Sequence, residues 1–232
     1  MIDKSPENIK SLFNEIAQYY DKVNNFISLG THYFIKFLAL KTLEIKPRAM
    51  VLDICCGTGD FTQLVQKFYP RAKIIGIDFS QNMLKLAKLK NPKGVFLQAD
   101  CTNLPFKDND FDYVTAGFGL RNVKDRIKAI SEIYRVLNDD GKFLHLDFGN
   151  HNKFSKVFDI IVPIFAKFLK LNTEHYKYLT ASKNEFPEPD ELIKEFENTG
   201  FTLVKRKDFL FGSISAQILQ AKNSKKIYLY QV

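Results

Sequence analysis

The stretch VLDICCGTGD, residues 51–60, decides the fold of this 232-residue chain. Its first residues form a short apolar run, which is typical of a buried parallel strand. The run breaks at Gly57 and Gly59, where the small residues let backbone approach a ligand closely. Helical sequence follows over residues 61–68. A strand, a glycine turn and a helix in this order predict the opening of a nucleotide-binding α/β fold, in which the helix N-terminus offers free N–H groups.

The next apolar strand, residues 73–77, indicates the kind of ligand. It ends at Asp78, about 20 residues past the glycines, where a carboxylate can hydrogen-bond to ribose hydroxyls. Thr62 stands where a dinucleotide fingerprint has its third glycine, which argues against a pyrophosphate. Asp53 and Asp60 would repel phosphate and suit a positively charged ligand. S-adenosylmethionine carries a sulfonium, an ammonium and a ribose, so the pattern favours this cofactor over a glycine turn made only for packing.

The amino-acid composition limits the binding partners and the cellular compartment that can be expected. The net charge of +8 favours anionic partners such as nucleic acid or a lipid surface, although scattered lysines are also consistent with a general compositional bias. Three cysteines, two of them adjacent, make no disulfide framework, and a reducing cytosol follows as the default. The first residues lack a secretory core, and no apolar run is long enough to span a bilayer. We expect a cytoplasmic protein, with peripheral contact at the inner face of the membrane left open.

Three segments are predicted along the chain. Residues 1–46 form a helical N-terminal cap, with one helix over 5–21, a turn at 24–25 and a second helix over 32–43. Residues 47–222 form an α/β domain, and residues 223–232 form a frayed tail, of which 227–232 add at most a short strand. His32 and the neighbouring residues Tyr19, Tyr20 and Asp21 are placed in loops, near enough to a cofactor to close over it.

The remaining elements of the domain alternate until residue 148. Strands are predicted at 94–98, 110–117 and 142–148, with helices at 80–89 and 124–137 between them. A turn at 139–141 precedes the fifth strand. The helix before this turn is predicted to face the core with Ile127, Ile130, Ile133, Tyr134 and Leu137. Residues 201–209 and 213–221 read as an antiparallel hairpin through Gly212. The fold class is therefore α/β, with a mostly parallel sheet that ends in an antiparallel hairpin.

Residues 150–185 break this alternation and are predicted to form a helical lid. Between 154 and 171 the polar positions fall on one narrow stripe of a helix, namely Lys156, Asp159, Pro163, Lys167 and Lys170. The remaining positions are taken to form a continuous apolar face. Pro163 should kink the helix. An apolar face this wide either packs under a lid or lies against a membrane.

Further candidate site residues follow the third and fourth strands. Asp100 can bond to the adenine amine while Cys101 meets the ring face, although an ordinary turn cap is the alternative. Gly117 ends the fourth strand. Arg121 and Asn122 follow in a glycine-flexed loop at the strand's C-terminal edge, where α/β folds place their chemistry; a surface salt bridge is the alternative for these two residues.

Several motifs match one known family up to about residue 220. They are Phe13-x-x-Ile16-Ala17-x-x-Tyr20-Asp21 with Asn24, Ser28-x-Gly30-x-His32, Leu52-Asp53-x-x-x-Gly57-Thr58-Gly59-Asp60, Leu104-Pro105-Phe106, Phe118-Gly119-Leu120-Arg121-Asn122-Val123, Tyr134-Arg135-Val136-Leu137 and Tyr176-x-Tyr178-Leu179-x-x-Ser182. The glycine motif is common to many methyltransferases, whereas the run that begins at Phe118 is far more specific. The chain thus resembles the ubiquinone/menaquinone biosynthesis C-methyltransferases, which include demethylmenaquinone methyltransferase.

The resemblance implies a class I S-adenosylmethionine enzyme with a Rossmann-like sheet. Such enzymes methylate a ring carbon of a polyprenylated quinol precursor. Together, the residue patterns and the resemblance give the cofactor set Asp53, Gly57, Thr58, Gly59, Asp78, Asp100, Cys101 and Gly117. The expected substrate positions are Tyr20, Asp21, Arg121, Asn122 and Tyr178, of which Arg121 and Asn122 are the catalytic candidates. No metal site is expected.

The chain departs from the family pattern in two places. The family often has Trp and basic residues just after the His32 position, where this chain reads Tyr33-Phe34-Ile35-Lys36. The usual Gly-x-x-Ala-x-His pattern near the C-terminus begins here at Gly212 and ends in Gln217. These departures affect substrate choice and leave the reaction class unchanged. The choice between naphthoquinol and benzoquinol, the tail length and the oligomeric state, a homodimer included, stay open.

Ring methylation needs a proton acceptor and a cation near the developing phenolate. Arg121 suits the second role and is a poor base because it stays protonated. Three proton acceptors stay open. They are a water ordered by Asn122, the carboxylate of Asp21 and the carboxylate of Asp147.

Two other functions are consistent with parts of the same sequence. A nucleic-acid methyltransferase would suit the charge, but amino-group methylation usually shows an Asn/Asp-Pro-Pro-aromatic loop where this chain reads Gly117-Phe118-Gly119-Leu120. Cytosine-carbon methylation needs a cysteine there, and the loop has none. We therefore expect no nucleic-acid partner. A cofactor-binding scaffold without turnover is the non-enzymatic alternative.

Overall fold

The computed structural model describes residues 3–28, 30–150, 152–168 and 173–221. One sheet forms its centre, and its strands in chain order are β1 (Met50–Ile54), β2 (Lys73–Asp78), β3 (Val95–Gln98), β4 (Phe111–Gly117), β5 (Leu137–Phe148), β6 (Phe201–Phe209) and β7 (Ile214–Ala221). Their order across the sheet is β3-β2-β1-β4-β5-β7-β6. β1 to β5 pair in parallel, and β7 is antiparallel to both β5 and β6. The predicted mostly parallel sheet with an antiparallel C-terminal hairpin is confirmed.

Eight helices surround this sheet within the described residues. They are α1 (Pro6–Ile27), α2 (Thr31–Lys41), α3 (Asp60–Phe68), α4 (Gln81–Lys90), α5 (Arg126–Val136), α6 (Lys153–Phe168), α7 (Thr173–Asn184) and α8 (Pro189–Asn198). The helical N-terminal cap and the helical insertion after the fifth strand are thus confirmed. The division into domains stays a prediction, and its tail, residues 223–232, lies outside the described part of the chain.

Local sequence explains where several elements begin. Val51, Leu52 and Ile54 are fully buried in β1, as expected for a strand covered on both faces. Gly59 has a φ of 84°, and this left-handed residue lets the chain turn from β1 into α3. Ser80 begins α4, because its Oγ accepts a hydrogen bond of 3.2 Å from the backbone N–H of Met83.

The turn predicted at residues 24–25 is wrong. α1 continues through both asparagines to Ile27. Leu12, Ile16 and Val23 are all buried on this helix, so one apolar face runs past the predicted stop. Packing of that face outweighs the weak helix propensity of asparagine.

The predicted start of the fifth strand is also wrong, because β5 begins at Leu137 rather than at Lys142. The expected turn survives only as an irregularity inside the strand, where Asp140 has a φ of 62° and the register with β4 shifts between Phe111 and Tyr113. Ile127 was expected inside but is half exposed.

The lid prediction is corrected at one position. Ser155 was overlooked among the polar residues, and it is buried on α6. Pro163 lies within this helix. The side chain of Lys167 and all of Lys170 fall outside the described residues, so the predicted polar stripe is described at Lys156, Asp159 and Pro163.

Helix α1 lies across the C-terminal edge of the sheet rather than on either face. Its buried residues Leu12 and Ile16 share a core with Met83 of α4 and with Tyr178 and Leu179 of α7. The two faces of the sheet carry separate cores, one under α5 and α8 and one under α2 and α3. The cap and the insertion therefore enclose space above the ends of β1 and β4.

Candidate active site

Two cavities adjoin at this edge of the sheet. The first cavity has a volume of about 220 Å³. Five of the predicted cofactor residues line it, namely Gly57, Asp78, Asp100, Cys101 and Gly117. Tyr20 and Asn122, predicted for the substrate, line it as well.

The second cavity is larger, about 380 Å³, and it is mostly apolar. Arg121 and His32 supply polar groups to its wall, and Val157 and Ile161 of α6 form part of its apolar side. Tyr20 and Phe118 border both cavities. The two cavities therefore share part of their walls at these two residues.

Asp78 holds the glycine turn in place. Its Oδ2 accepts a hydrogen bond of 2.8 Å from the backbone N–H of Gly57, and its Oδ1 accepts one of 2.8 Å from Ser80. Burial raises the pKa of Asp78, and these N–H donors act in the opposite direction. Gly57 has a φ of 55°, and a Cβ built there meets no atom within 4 Å, so a side chain would project into open space.

The cavity's acidic end also contains Asp100. Its Oδ1 accepts hydrogen bonds from the backbone N–H and the hydroxyl of Thr102, at 2.8 and 2.9 Å. The turn-cap alternative is therefore real, yet it does not exclude the predicted contact with a ligand, since Asp100 lines the cavity at the same time.

The other three predicted cofactor residues, Asp53, Thr58 and Gly59, do not line the first cavity. Asp53 is almost fully buried, and its two oxygens accept hydrogen bonds from Thr62 and Thr115. We infer that Asp53 supports the turn between β1 and α3 from below, and its direct contact with cofactor stays a prediction.

Asp60 is neutralised by two lysines, which the sequence interpretation did not include. Lys36 Nζ lies 2.7 Å from Asp60 Oδ2, and Lys90 Nζ lies 3.0 Å from Asp60 Oδ1. Burial alone would raise the pKa of Asp60, but the two ammonium groups hold it well below its usual range. The expected attraction between Asp60 and a cationic ligand is therefore largely cancelled.

Asp21 belongs to the same network. Its Oδ1 accepts a hydrogen bond of 2.6 Å from the hydroxyl of Thr58, and its Oδ2 accepts one of 2.8 Å from Lys90. Asp21 lines neither cavity. The loop placement predicted for Tyr19, Tyr20, Asp21 and His32 is wrong, because the first three lie within α1 and His32 lies within α2.

Arg121 is a buried, fixed cation rather than part of a surface salt bridge. It lies on a short 3-10 helix, Leu120–Asn122. Its Nη1 donates to the carbonyl of Phe118 and, at 2.9 Å, to Asp147 Oδ1. The guanidinium lies 5.1 Å from the ring centroid of Phe148 and 5.8 Å from that of Phe118. These contacts leave one orientation for the charge beside the second cavity.

Tyr178 meets Asn122 behind the wall of the first cavity. The Tyr178 hydroxyl donates to Asn122 Oδ1 over 3.3 Å. Burial raises the pKa of Tyr178 to about 12, and the charge of Arg121 acts in the opposite direction. Tyr178 is therefore a neutral hydrogen-bond donor, which orients the amide of Asn122.

The start of α1 is a part of the site that the sequence analysis missed. Lys4, Pro6, Ile9 and Phe13 line the first cavity. Ile9 and Phe13 continue the helical spacing toward Tyr20, and this shared face was the available signal. Among the described residues, no group of three or more His, Cys, Asp or Glu side chains is arranged to hold a metal.

Known proteins are similar to this chain over most of its length. The model of the ubiE/COQ5 methyltransferase family matches residues 1–220. Demethylmenaquinone methyltransferase from Staphylococcus carnosus (strain TM300) is 38% identical over 226 residues, which cover 93% of each chain. The protein of the same name from Lactiplantibacillus plantarum is 36% identical over 229 residues, covering 93% of this chain and 97% of its own.

Solved structures support the fold. A putative methyltransferase in complex with the Trm112 methyltransferase activator of Haloferax volcanii has a TM-score of 0.69 at 15% identity, covering 91% of this chain and 98% of its own. An S-adenosylmethionine-dependent methyltransferase from Thermotoga maritima, described as a possible histamine N-methyltransferase, has a TM-score of 0.68 at 20% identity and covers 91% and 99%. From its sequence relatives and its fold together, the chain belongs to the ubiE/COQ5 methyltransferase family and is an S-adenosylmethionine-dependent methyltransferase.

Proposed function

We propose that the protein methylates a ring carbon of a polyprenylated quinol, and that its acceptor is a demethylmenaquinol, as the names of its relatives suggest. The benzoquinol step of ubiquinone synthesis is the second candidate of the same class. The observation that carries the proposal is the adjoining pair of cavities. One is lined by carboxylates and glycines, the other is mostly apolar with a fixed Arg121, and Tyr20 and Phe118 border both.

The first cavity fits S-adenosylmethionine. The open space above Gly57 admits a ligand against the backbone, while Asp78 and Asp100 are acceptors for its ribose hydroxyls and adenine amine. Cys101 and Gly117 complete the wall. When bound, the cofactor supplies an electrophilic methyl group on a positively charged sulfur. The protein's part is to hold donor and acceptor in line at short distance, which contributes up to about 7–11 kcal/mol in well-oriented systems.

The acceptor ring needs activation by the protein. A quinol carbon becomes nucleophilic when a ring hydroxyl loses its proton and pushes charge onto the ring. Arg121 lines the second cavity, and its guanidinium cannot rotate freely because Asp147 and Phe118 hold it. A fixed cation stabilises the developing phenolate without reorganising.

The contacts favour Asp147 over Asp21 as the proton acceptor. Both oxygens of Asp21 are engaged by Thr58 and Lys90. Asp147 is fully buried, its Oδ1 accepts from Arg121, and its Oδ2 has no hydrogen-bond partner among the described residues. Asp147 itself lines neither cavity, so its link to the acceptor runs through Arg121, which donates to Asp147 and lines the second cavity.

The rim of the second cavity suits a membrane-borne tail. Val157 and Ile161 of α6 and Leu210 between β6 and β7 line this cavity and are also exposed. Ile160 and Ile164 of α6 are exposed beside them. No helix in the described residues is long and apolar enough to cross a membrane. We propose that this apolar rim, Val157, Ile160, Ile161, Ile164 and Leu210, rests on a lipid surface while the tail enters the cavity.

Methyl transfer to defined acceptors tests the function. The purified protein is incubated with methyl-labelled S-adenosylmethionine and, separately, a reduced short-tail demethylnaphthoquinol, a reduced short-tail benzoquinol and total RNA. We expect label on the ring of the naphthoquinol. An absence of label on both quinols, or label on RNA, would refute the proposal. Cofactor binding without any turnover would indicate a scaffold instead.

A further inference from the structure

Phe118 has a backbone conformation that phenylalanine rarely adopts. Its φ is 59°, in the left-handed region where a bulky side chain is strained. Two hydrogen bonds hold it there, because its N–H donates to the carbonyl of Leu146 over 2.7 Å and its own carbonyl accepts from Arg121 Nη1. The chain is also packed tightly at Gly119, where an added Cβ would clash with the side chain of Cys55. Strained residues that their surroundings hold in place are concentrated at functional sites.

The ring of Phe118 is held as firmly as its backbone. Lys36 Nζ and the Arg121 guanidinium each lie over the ring, 5.8 Å from its centroid. The ring of Phe148 meets it at 72°, with the two centroids 5.6 Å apart. Both cations are themselves paired with buried carboxylates, so the cation–π contacts act between fixed partners. The ring of Phe118 is therefore a rigid part of the wall that the two cavities share.

The proposed reaction has a competing product that this wall can prevent. An ionised quinol shares its negative charge between the oxygen and the neighbouring ring carbons, so either atom can attack a methyl group. Arg121 lines the second cavity and not the first, so an acceptor oxygen that it binds lies on the second-cavity side of the shared wall. In the proposed reaction the methyl group arrives from the first cavity. The ring of Phe118 borders both cavities beside Arg121, where it can keep that oxygen and the methyl group apart.

We propose that Phe118 is a specificity-determining residue, whose ring shields the acceptor oxygen held by Arg121 and leaves the adjacent ring carbon as the atom that is methylated. In the selected reaction, an electron pair of the ring carbon forms the new bond to the methyl group, the sulfur keeps the electrons of the broken bond, and the carbon then loses its proton to water. In the rejected reaction, a lone pair of the oxygen forms the bond instead, and the product is a methyl ether. The inference rests on the proposed quinol activity.

Product analysis of two variants tests the selection. Phe118→Leu makes the wall smaller, and Phe118→Gly removes the ring together with the backbone strain. Reduced short-tail quinol is methylated by each variant, and the C-methyl and O-methyl products are separated and identified by mass spectrometry and NMR. We expect the ratio of O-methyl to C-methyl product to rise about 10- to 200-fold, the discrimination that a small change in the size of an apolar wall supplies. S-adenosylmethionine affinity, measured by calorimetry, should stay unchanged. Phe37→Leu, at a phenylalanine of α2 that lines neither cavity, is the control and should keep the wild-type ratio.

Three outcomes would overturn the inference. The first is a wild-type product ratio in either variant of Phe118 that still binds cofactor. The second is a loss of all product with normal cofactor affinity, because the ring would then serve the reaction itself and not the choice of atom. The third is a loss of cofactor affinity in both variants, which would make the ring a structural part of the first cavity. If wild-type protein methylates neither quinol, the proposed function is wrong, and that failure is distinct from an unchanged product ratio.

Discussion

Lys36 and Asp60 form a buried ion pair, with Nζ and Oδ2 separated by 2.7 Å and both side chains about nine-tenths buried. The pair joins α2 of the cap to the first residue of α3, directly after the glycine turn. The cap is thus fastened to the same turn that lines the first cavity.

Lys36→Met is expected to lower the free energy of unfolding by about 3 kcal/mol. The substitution leaves the buried carboxylate of Asp60 with Lys90 as its remaining lysine partner, and breaking a buried pair in this way typically costs about 3–5 kcal/mol. Urea unfolding measures the loss. Lys41→Met, at an exposed position on the same helix, is the control, and an equal loss in both variants would contradict the role assigned to the pair.

Asp53 should make stability depend on pH. Burial raises its pKa to about 7 in the folded protein, against about 3.9 in an unfolded chain. Between these values the folded state holds the extra proton, so this group's stabilising contribution falls as pH rises from 4 to 7. Asp53→Asn removes that slope, because an amide does not titrate. Unfolding free energies measured from pH 4.5 to 7.5 should decline less in the variant, and parallel curves would exclude the effect.

Asp78→Asn is expected to weaken S-adenosylmethionine binding. The carboxylate accepts from Gly57 and Ser80 and lines the first cavity, and losing a charged acceptor typically costs about 1.5–3 kcal/mol, or roughly 10- to 150-fold in Kd. Calorimetry gives the affinity. Asp110→Asn has the same charge change at an exposed site and should bind normally; unaltered binding by the Asp78 variant would remove Asp78 from the cofactor site.

Tyr178→Phe is expected to slow turnover without changing cofactor affinity. The substitution removes the hydroxyl that donates to Asn122 Oδ1, and a neutral hydrogen bond contributes about 0.5–1.5 kcal/mol, or roughly 2- to 10-fold in rate. Quinol kinetics and calorimetry on one preparation separate the two quantities. Tyr69→Phe, at a residue that lines neither cavity, is the control. A matched loss of cofactor affinity would show that Tyr178 supports the first cavity instead.

Sedimentation with anionic liposomes tests the apolar rim. Changing Ile160 and Ile164 to serine should reduce the bound fraction, since each buried isoleucine contributes about 1.5–3 kcal/mol. Methylation of a soluble short-tail quinol should persist. Ile127→Ser, which alters a half-exposed isoleucine on α5, should leave liposome binding intact. If wild-type protein does not sediment, the rim is not a membrane contact.

Residues at strand ends were the most predictable part of the site. Gly57, Asp78, Asp100 and Gly117 follow apolar runs whose C-terminal ends must meet at one edge of a parallel sheet, so spacing along the chain was enough to bring them to one cavity. The specific run from Phe118 placed Arg121 at the same edge. These residues depend on local pattern, which the sequence displays directly.

Contacts between distant elements were not predictable in this way. Lysines such as Lys36 and Lys90 are expected at the exposed positions of helices. They become partners of Asp60 only because α2 and α4 approach it in the folded protein. The extension of α1 past residue 25 also depends on tertiary packing, since asparagine by itself favours a stop. The partners of Asp53 were equally unpredictable, because its carboxylate oxygens accept hydrogen bonds from Thr62 and from Thr115 on another strand.

The position of β7 has a consequence for how the protein is made. β7 follows β6 along the chain but lies between β5 and β6 in the sheet, and it supplies Ser215 and Gln217 behind the active site. During synthesis on the ribosome, the edge of β5 that pairs with β7 therefore stays unpaired until about residue 221 has emerged. An open strand edge is a site for pairing with other chains. A nascent chain stalled before β7 would thus hold a nearly complete cofactor cavity and still expose an unpaired edge on β5.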